Sequence, residues 1–266
     1  MNDATTRFTI GDVSAELRPN HVAVVEMHRP PNNALELGLI RNLADVFERL
    51  DSDLSCYAIV LASEGRHFCA GADLGSSTDP VATASGTTNN PLYEAGLRLF
   101  AVGIPIVAAI QGAAVGGGLG LALVADFRVT CPEARLTANF TKLGLHHGFG
   151  TTVTLPRLVG IQRAHELLLT GRRVGGEEAV RIGLCDRLVA QEEVRNSAIA
   201  LAEELAGNAP LAMRSVRHTM RGHLAQEVAV ATLREHQQQQ ELSRTHDHKE
   251  GVSAYADRRT PVFIGR

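Results

Sequence analysis

Residues 104–125 read Ile-Pro-Ile-Val-Ala-Ala-Ile-Gln-Gly-Ala-Ala-Val-Gly-Gly-Gly-Leu-Gly-Leu-Ala-Leu-Val-Ala, 22 positions without a charged side chain. On length alone such a run could cross a bilayer, which takes about 20 apolar residues. Its interior argues otherwise. Pro105, Gln111 and the glycines at 112, 116, 117, 118 and 120 divide it into an apolar strand, a glycine turn and a short buried helix. No membrane span is expected, and residues 127–130 read as a further short strand.

On the N-terminal side, residues 8–17, 21–27 and 57–62 alternate in the manner of strands. Between the last two, Leu35, Leu39, Ile40, Leu43, Val46, Phe47 and Leu50 recur at helical spacing. Strand, helix, strand implies a right-handed parallel crossover. Residues 75–91 are mostly Ser, Thr, Gly, Asn and Ala and are predicted to form a mobile loop. Beyond residue 160 the pattern becomes helical, over 162–169, 177–182, 191–206, 211–220 and 223–247, with Gln237 to Gln240 read as a solvated helix face. The fold class is therefore α/β with a helical tail.

The chain has 266 residues, is 44% hydrophobic and carries a net charge of −3, with its Lys and Arg residues spread along the sequence. That distribution offers no footprint for nucleic acid. Cys56, Cys69, Cys131 and Cys185 form no CxxC pair and follow no secretory signal, so reduced thiols, a cytoplasmic location and no metal site are expected.

Glycine is in excess, with 25 residues, ten of them in three clusters: 71 and 75; 112 to 120; and 144, 148 and 150. The dinucleotide fingerprint GxGxxG fails because Leu121 stands at its third glycine, and no GxxxxGK[ST] is present. No nucleotide or other separate cofactor is expected. What is left is two strand-to-turn segments, His67-Phe68-Cys69-Ala70-Gly71-Ala72-Asp73-Leu74 and Val115-Gly116-Gly117-Gly118-Leu119-Gly120. Backbone N–H groups from two such turns can converge on one point as an oxyanion hole. Close packing of a helix on a sheet is the alternative use of the same glycines.

In order and spacing, five segments resemble the crotonase (enoyl-CoA hydratase/isomerase) superfamily. They are Arg29-Pro30-Pro31-Asn32-Asn33-Ala34-Leu35; Phe68 to Leu74; Ile110-Gln111-Gly112-Ala113-Ala114-Val115-Gly116-Gly117-Gly118; Leu168-Leu169-Thr170-Gly171-Arg172-Arg173-Val174 with Glu177-Glu178-Ala179 and Gly183-Leu184; and Glu250-Gly251-Val252-Ser253-Ala254-Tyr255 with Arg258, Arg259, Pro261 and Phe263. The resemblance implies a crotonase-like spiral of ββα units over residues 1–200 and a helical C-terminal trimerisation region over 201–266. It also implies a homotrimer or a hexamer built as a dimer of trimers, and an acyl-CoA thioester as ligand, with coenzyme A entering as part of the substrate. By position, the N–H groups of Ala72 and Gly117 would form the oxyanion hole, and Ala70, Asp73 and Leu74 would lie along the adenine and pantetheine.

The family's hydratases use two glutamates, and the matching positions here are Gly120 and Phe140. Neither can move a proton, and Thr137, Asn139 and Lys142 nearby supply no carboxylate. A third position that carries a carboxylate in some relatives matches Gly148. General acid–base help is worth roughly 10²- to 10⁴-fold per group, so standard hydration is not expected. The neighbouring His146 and His147 are candidates for a base or acid, against the alternative of a packing or solvated pair. Tyr93 and Glu94, just past the polar loop, are further residues able to reach an acyl pocket. Cys69 reads as a small buried residue rather than a nucleophile. Phe140 favours a hydrophobic acyl group. Isomerase, hydrolase or carbon–carbon lyase chemistry on an acyl-CoA is the expected function, with a non-catalytic acyl-CoA binder as the alternative.

Overall fold

The computed structural model describes residues 5–74, 76 and 78–266. Gly11, at φ +57°, turns the chain between β1 (Thr6–Ile10) and β2 (Val13–Leu17). The single strand expected over residues 8–17 is thus an antiparallel hairpin, made possible by a residue that takes positive φ without a side-chain clash. β3 (Val22–Met27) adds to β2, and helix α1 (Leu37–Asp51) carries the chain to β4 (Ala58–Ser63), which lies parallel to β3. The parallel crossover read from periodicity is present, and all seven apolar residues named for it are buried.

Of the expected loop over 75–91, Gly75 and Ser77 lie outside the described residues, and residues 78–91 are more ordered than their composition implies. Asp79 accepts from the N–H of Val81 and caps the single turn of α2 (Pro80–Thr83). Asn90 caps α3 (Pro91–Ala101) by accepting from Leu92 N. Both caps are buried, so this polar sequence encodes helix starts as well as a loop.

The charge-free run resolves as read, into β5 (Ile106–Ile110), β6 (Ala113–Val115) and α4 (Gly117–Ala122), followed by β7 (Phe127–Thr130) and β8 (Arg135–Thr137). Helices α5 (Thr151–Val159) and α6 (Ile161–Thr170), β9 (Val174–Gly175), α7 (Gly176–Arg181), β10 (Arg187–Leu188) and α8 (Val194–Ala206) complete the body. α9 (Pro210–Arg221), α10 (Leu224–Leu242) and α11 (His246–Ala256) close the chain. The long C-terminal run therefore stops at Leu242. Thr245 starts a new helix by accepting from His248 N. The expected boundary at residue 200 falls inside α8, which packs on β3, β4, β5 and β7.

The main sheet runs β1-β2-β3-β4-β5-β7-β10 and a smaller one runs β6-β8-β9, with Cys69 bridged to Ala114 at the smaller sheet's edge. Each turn of the chain gives one strand to the main sheet and a shorter piece to the second: β4 then Cys69, β5 then β6, β7 then β8. This is the spiral of ββα units. Every residue of β4 and β5 is buried, as parallel strands covered on both faces require. Among the described residues no helix is long and apolar enough to cross a membrane.

Candidate active site

Three loops meet at the edge of the second sheet. Cys69 N donates to Ala113 O at 3.0 Å and Val115 N donates to Cys69 O at 3.0 Å, which stitches the segment before Ala72 to the segment before Gly117. The third loop is clamped on by Ala70 N donating to Asn32 O and by Leu35 N donating to Gly71 O, both at 2.9 Å. Asn33 pins that loop: its side chain accepts from Arg29 N and donates to the carbonyls of Glu64 and His67. Contact between the loops is tight enough to exclude side chains. A Cβ at Gly118 would lie 2.2 Å from Cys69 O, and one at Gly71, where φ is +96°, would lie 2.9 Å from Val115 O.

The turns that follow leave several N–H groups unused, those of Ala72 and Gly117 among them. Among the described residues, neither Ala72 N–H nor Gly117 N–H donates to a backbone carbonyl. Gly117 is the first residue of α4, where no preceding turn supplies an acceptor. Ala70, Ala72, Leu74, Gly117 and Phe140 all line one cavity of about 60 Å³, together with Leu35, Tyr93, Phe149 and Gln239. Asp73 is exposed and is not among the lining residues; its carbonyl accepts from Ser76.

The two positions that match the hydratase glutamates are both taken up by phenyl rings. Phe140 lines the cavity itself. At Gly120 the space is filled by Phe149: a Cβ there would stand 2.9 Å from the Cβ of Phe149 and 3.0 Å from its Cδ1. The third position, Gly148, is filled by polar atoms, because a Cβ would meet the Tyr93 hydroxyl at 2.0 Å and Gln239 Nε2 at 2.7 Å. Among the described residues no carboxylate lines this cavity.

The histidine pair lies outside it. His147 is buried with its ring edge-on to Phe140, 5.3 Å between centroids, and its Nε2 donates to Leu168 O at 2.9 Å. That bond fixes the proton on Nε2 and leaves Nδ1 buried with no partner among the described residues. Burial pushes the imidazole down to about 4, so it is neutral near pH 7. His146 turns its Nδ1 to the carbonyl of His147. Neither ring lines the cavity, so the expected acid–base role for one of them has no direct path to a ligand there. Of the two residues past the polar loop, Tyr93 lines the cavity and Glu94 is exposed, accepting from Asn89. Cys69 is fully buried and its thiol is pushed up to about 12 by desolvation, consistent with the packing role read from sequence.

Gln239 corrects the reading of residues 237–240 as a solvated face. It is 1% exposed, accepts from the Tyr93 hydroxyl at 2.7 Å and donates to His146 O at 3.0 Å. Past Leu224 and Val228 the buried face of α10 turns polar, running through Thr232, Glu235, His236 and Gln239, so apolar periodicity could not mark this part of it. Phe149 also escaped the sequence reading. Its signal is the glycine at 120, which is unexplained by helix formation and explained by the ring that needs the room.

The chain matches the family model described as enoyl-CoA hydratase/isomerase over residues 18–266. It is 33% identical over 270 residues to enoyl-CoA hydratase domain-containing protein 2, mitochondrial, of Mus musculus, covering 99% of this chain and 91% of that protein. To the 2,3-dehydroadipyl-CoA hydratase of Escherichia coli (strain K12) it is 32% identical over 252 residues, covering 94% and 97%. A crystal structure of an enoyl-CoA hydratase/isomerase from Pseudoalteromonas atlantica T6c superposes with a TM-score of 0.84 at 29% identity, over 96% of this chain and all of that one. The strand stack, the stitched loops and these matches lead to one conclusion: the chain belongs to the enoyl-CoA hydratase/isomerase family, the crotonase superfamily.

Proposed function

We propose that this chain is an acyl-CoA thioester enzyme in which the N–H groups of Ala72 and Gly117 receive the thioester oxygen, and that its reaction is isomerisation, hydrolysis or carbon–carbon cleavage rather than standard hydration. The observation that carries this reading is the pair of rings, Phe140 and Phe149, standing where two carboxylates would be needed. Fixed donors at a developing oxyanion are worth roughly 3 to 4 kcal/mol each in comparable sites, and that part of the machinery needs no carboxylate. The named relatives that are hydratases of CoA thioesters support the ligand class. Ala70, Asp73 and Leu74 are proposed to border the adenine and pantetheine, and the protein is proposed to act in the cytoplasm.

A homotrimer, or a hexamer of two trimers, is part of the same proposal. α9 buries none of its residues within one chain, and Leu211, Val216 and Met220 on it are exposed. A second reading, a non-catalytic acyl-CoA binder, is favoured by the placement of both histidines away from the cavity.

Purified protein given 3-enoyl, 2-enoyl and saturated acyl-CoAs separates the two, with double-bond migration followed by absorbance, thioester cleavage by free thiol and binding by calorimetry. Turnover by migration, hydrolysis or chain cleavage supports the enzyme. Tight binding with no turnover of any of them would leave the binder standing.

A further inference from the structure

Helix α10 reaches behind the cavity with a buried carboxylate. Glu235 is 1% exposed, and it accepts from Gly150 N at 2.9 Å, from Thr152 N at 3.3 Å and from the Thr152 hydroxyl at 2.6 Å. These groups form the start of α5, whose N-cap residue, Gly150, has no side chain to cap with. One turn further along α10, Gln239 donates to His146 O at 3.0 Å. The segment from His146 to Thr152 is thus tied to α10 at both ends.

Between the ties the backbone is strained. Phe149 holds φ at +58° and Gly150 at +71°, a region open to glycine and rarely taken by a bulky side chain. Such a conformation persists where its surroundings impose it, and the N–H that Glu235 Oε2 receives belongs to the very next residue. The turn decides where the Phe149 ring goes. It packs against α4, because a Cβ on Gly120 would stand 2.9 Å from the Cβ of Phe149 and 3.0 Å from its Cδ1. The first turn of α4 meets other loops as closely: a Cβ at Gly117 would lie 2.3 Å from Leu35 Cδ2, and one at Gly118 2.2 Å from Cys69 O. α4 is only six residues long and begins at Gly117. The place of its first N–H therefore follows from these contacts and from the bond of Gly116 N to Thr137 O.

We propose that Glu235 is a positioning residue for the oxyanion hole. From α10 it holds the turn at Phe149 and Gly150 in its left-handed form, and through the Phe149 ring it sets the seat of α4, whose Gly117 N–H faces the thioester oxygen. The inference rests on the oxyanion-hole reading above and adds a residue that holds its frame.

The readout is the part of the affinity that depends on the thioester oxygen. It is taken as the ratio of affinities for butanoyl-CoA and for S-butyl-CoA, a thioether without the carbonyl. Calorimetric titration of the full-length protein is expected to give a ratio of about ten, the scale of one well-made hydrogen bond. Glu235→Gln keeps the reach and gives up the charge. Its amide oxygen can take the Gly150 N–H while its NH2 group donates to the Thr152 hydroxyl, so most of the ratio is retained. Glu235→Asp keeps the charge and falls one methylene short of Gly150, and there the ratio drops to about two or less. An unchanged ratio in Glu235→Asp overturns the positioning role, and an equal weakening of thioester and thioether in that variant, the mark of a helix cap alone, does the same. A ratio that falls as far in Glu235→Gln as in Glu235→Asp also overturns it. If the unaltered protein binds butanoyl-CoA no more tightly than S-butyl-CoA, the oxyanion-hole reading itself fails, and this inference with it.

Discussion

Gly120 and Phe149 share one side-chain volume: a Cβ on Gly120 would lie 2.9 Å from the Cβ of Phe149. Gly96 of α3 frames the same ring from another side, with a Cβ there placed 2.9 Å from Phe149 Cζ. Phe149 is buried, holds φ at +58° and packs edge-on to Tyr93. Two glycines on different elements are therefore accounted for by one ring, and the position that matches a catalytic acid in hydratases is a packing site here.

Gly120→Ala should then destabilise the protein by about 1 to 3 kcal/mol, the usual cost of overfilling a packed core. Phe149→Gly, which removes the Cβ that the new methyl meets as well as the ring, should cost less in the Gly120→Ala chain than on its own. Urea unfolding of the two single variants and the double variant measures the coupling; strictly additive effects would mean that the two sites do not share the volume.

Gly118 tests the stitching of the loops, because its Cβ would meet the backbone oxygen of Cys69 rather than a movable side-chain end. Gly118→Ala is expected to weaken acyl-CoA binding at least tenfold, by parting the segments that carry Ala72 and Gly117, and to lower stability by more than about 2 kcal/mol. Gly38, on α1 with open space around it, gives the opposite sign. Gly38→Ala should stabilise by about 0.4 to 1 kcal/mol. Thermal melts and calorimetric titrations of both variants check the contrast.

His147 sets a pH dependence. Its folded value of about 4 lies below the ordinary 6.5, so the unfolded chain takes up the proton first as pH falls. Stability is full above about pH 6.5 and declines as pH drops through that value toward 4, by an amount on the order of 3 kcal/mol for this group. His147→Leu should flatten that part of the curve. Chemical denaturation at a series of pH values reads it, and an unchanged slope in the variant would place the dependence elsewhere.

The thiols should be inert in the folded state. All four cysteines are buried, and Cys56, Cys69 and Cys185 are each pushed up to about 12. Native protein mixed with a disulfide reagent at pH 8 is expected to react only at the rate of unfolding, and all four thiols are expected to react at once in denaturant. Rapid labelling of one thiol in native protein would contradict the burial.

Much of this was readable in advance, where residue type and spacing carry one meaning. The existence of the strands near residues 21–27 and 57–62, the helix between them and the division of residues 104–125 follow from periodicity and from breakers that act locally, although the alternation read for those two strands gives way to burial on both faces. The loops of Ala72 and Gly117 were legible as glycine turns. Gln239 and Phe149 were not, because each acts on residues far away in the chain: Gln239 reaches back 146 positions to Tyr93, and a phenyl ring leaves no polar signature. The histidine pair illustrates the reverse. Its residue type suits proton transfer, yet a backbone carbonyl at Leu168 decides where the His147 ring points.

The most direct measurement offers the purified protein trans-2-butenoyl-CoA, following the loss of enoyl absorbance in parallel with calorimetric binding. With Phe140 and Phe149 in place of carboxylates, the thioester is expected to bind while hydration stays at the uncatalysed background. Hydration at roughly 1 to 10³ per second, the ordinary range of enzymes, would contradict the account by showing that this cavity activates water without the glutamate pair.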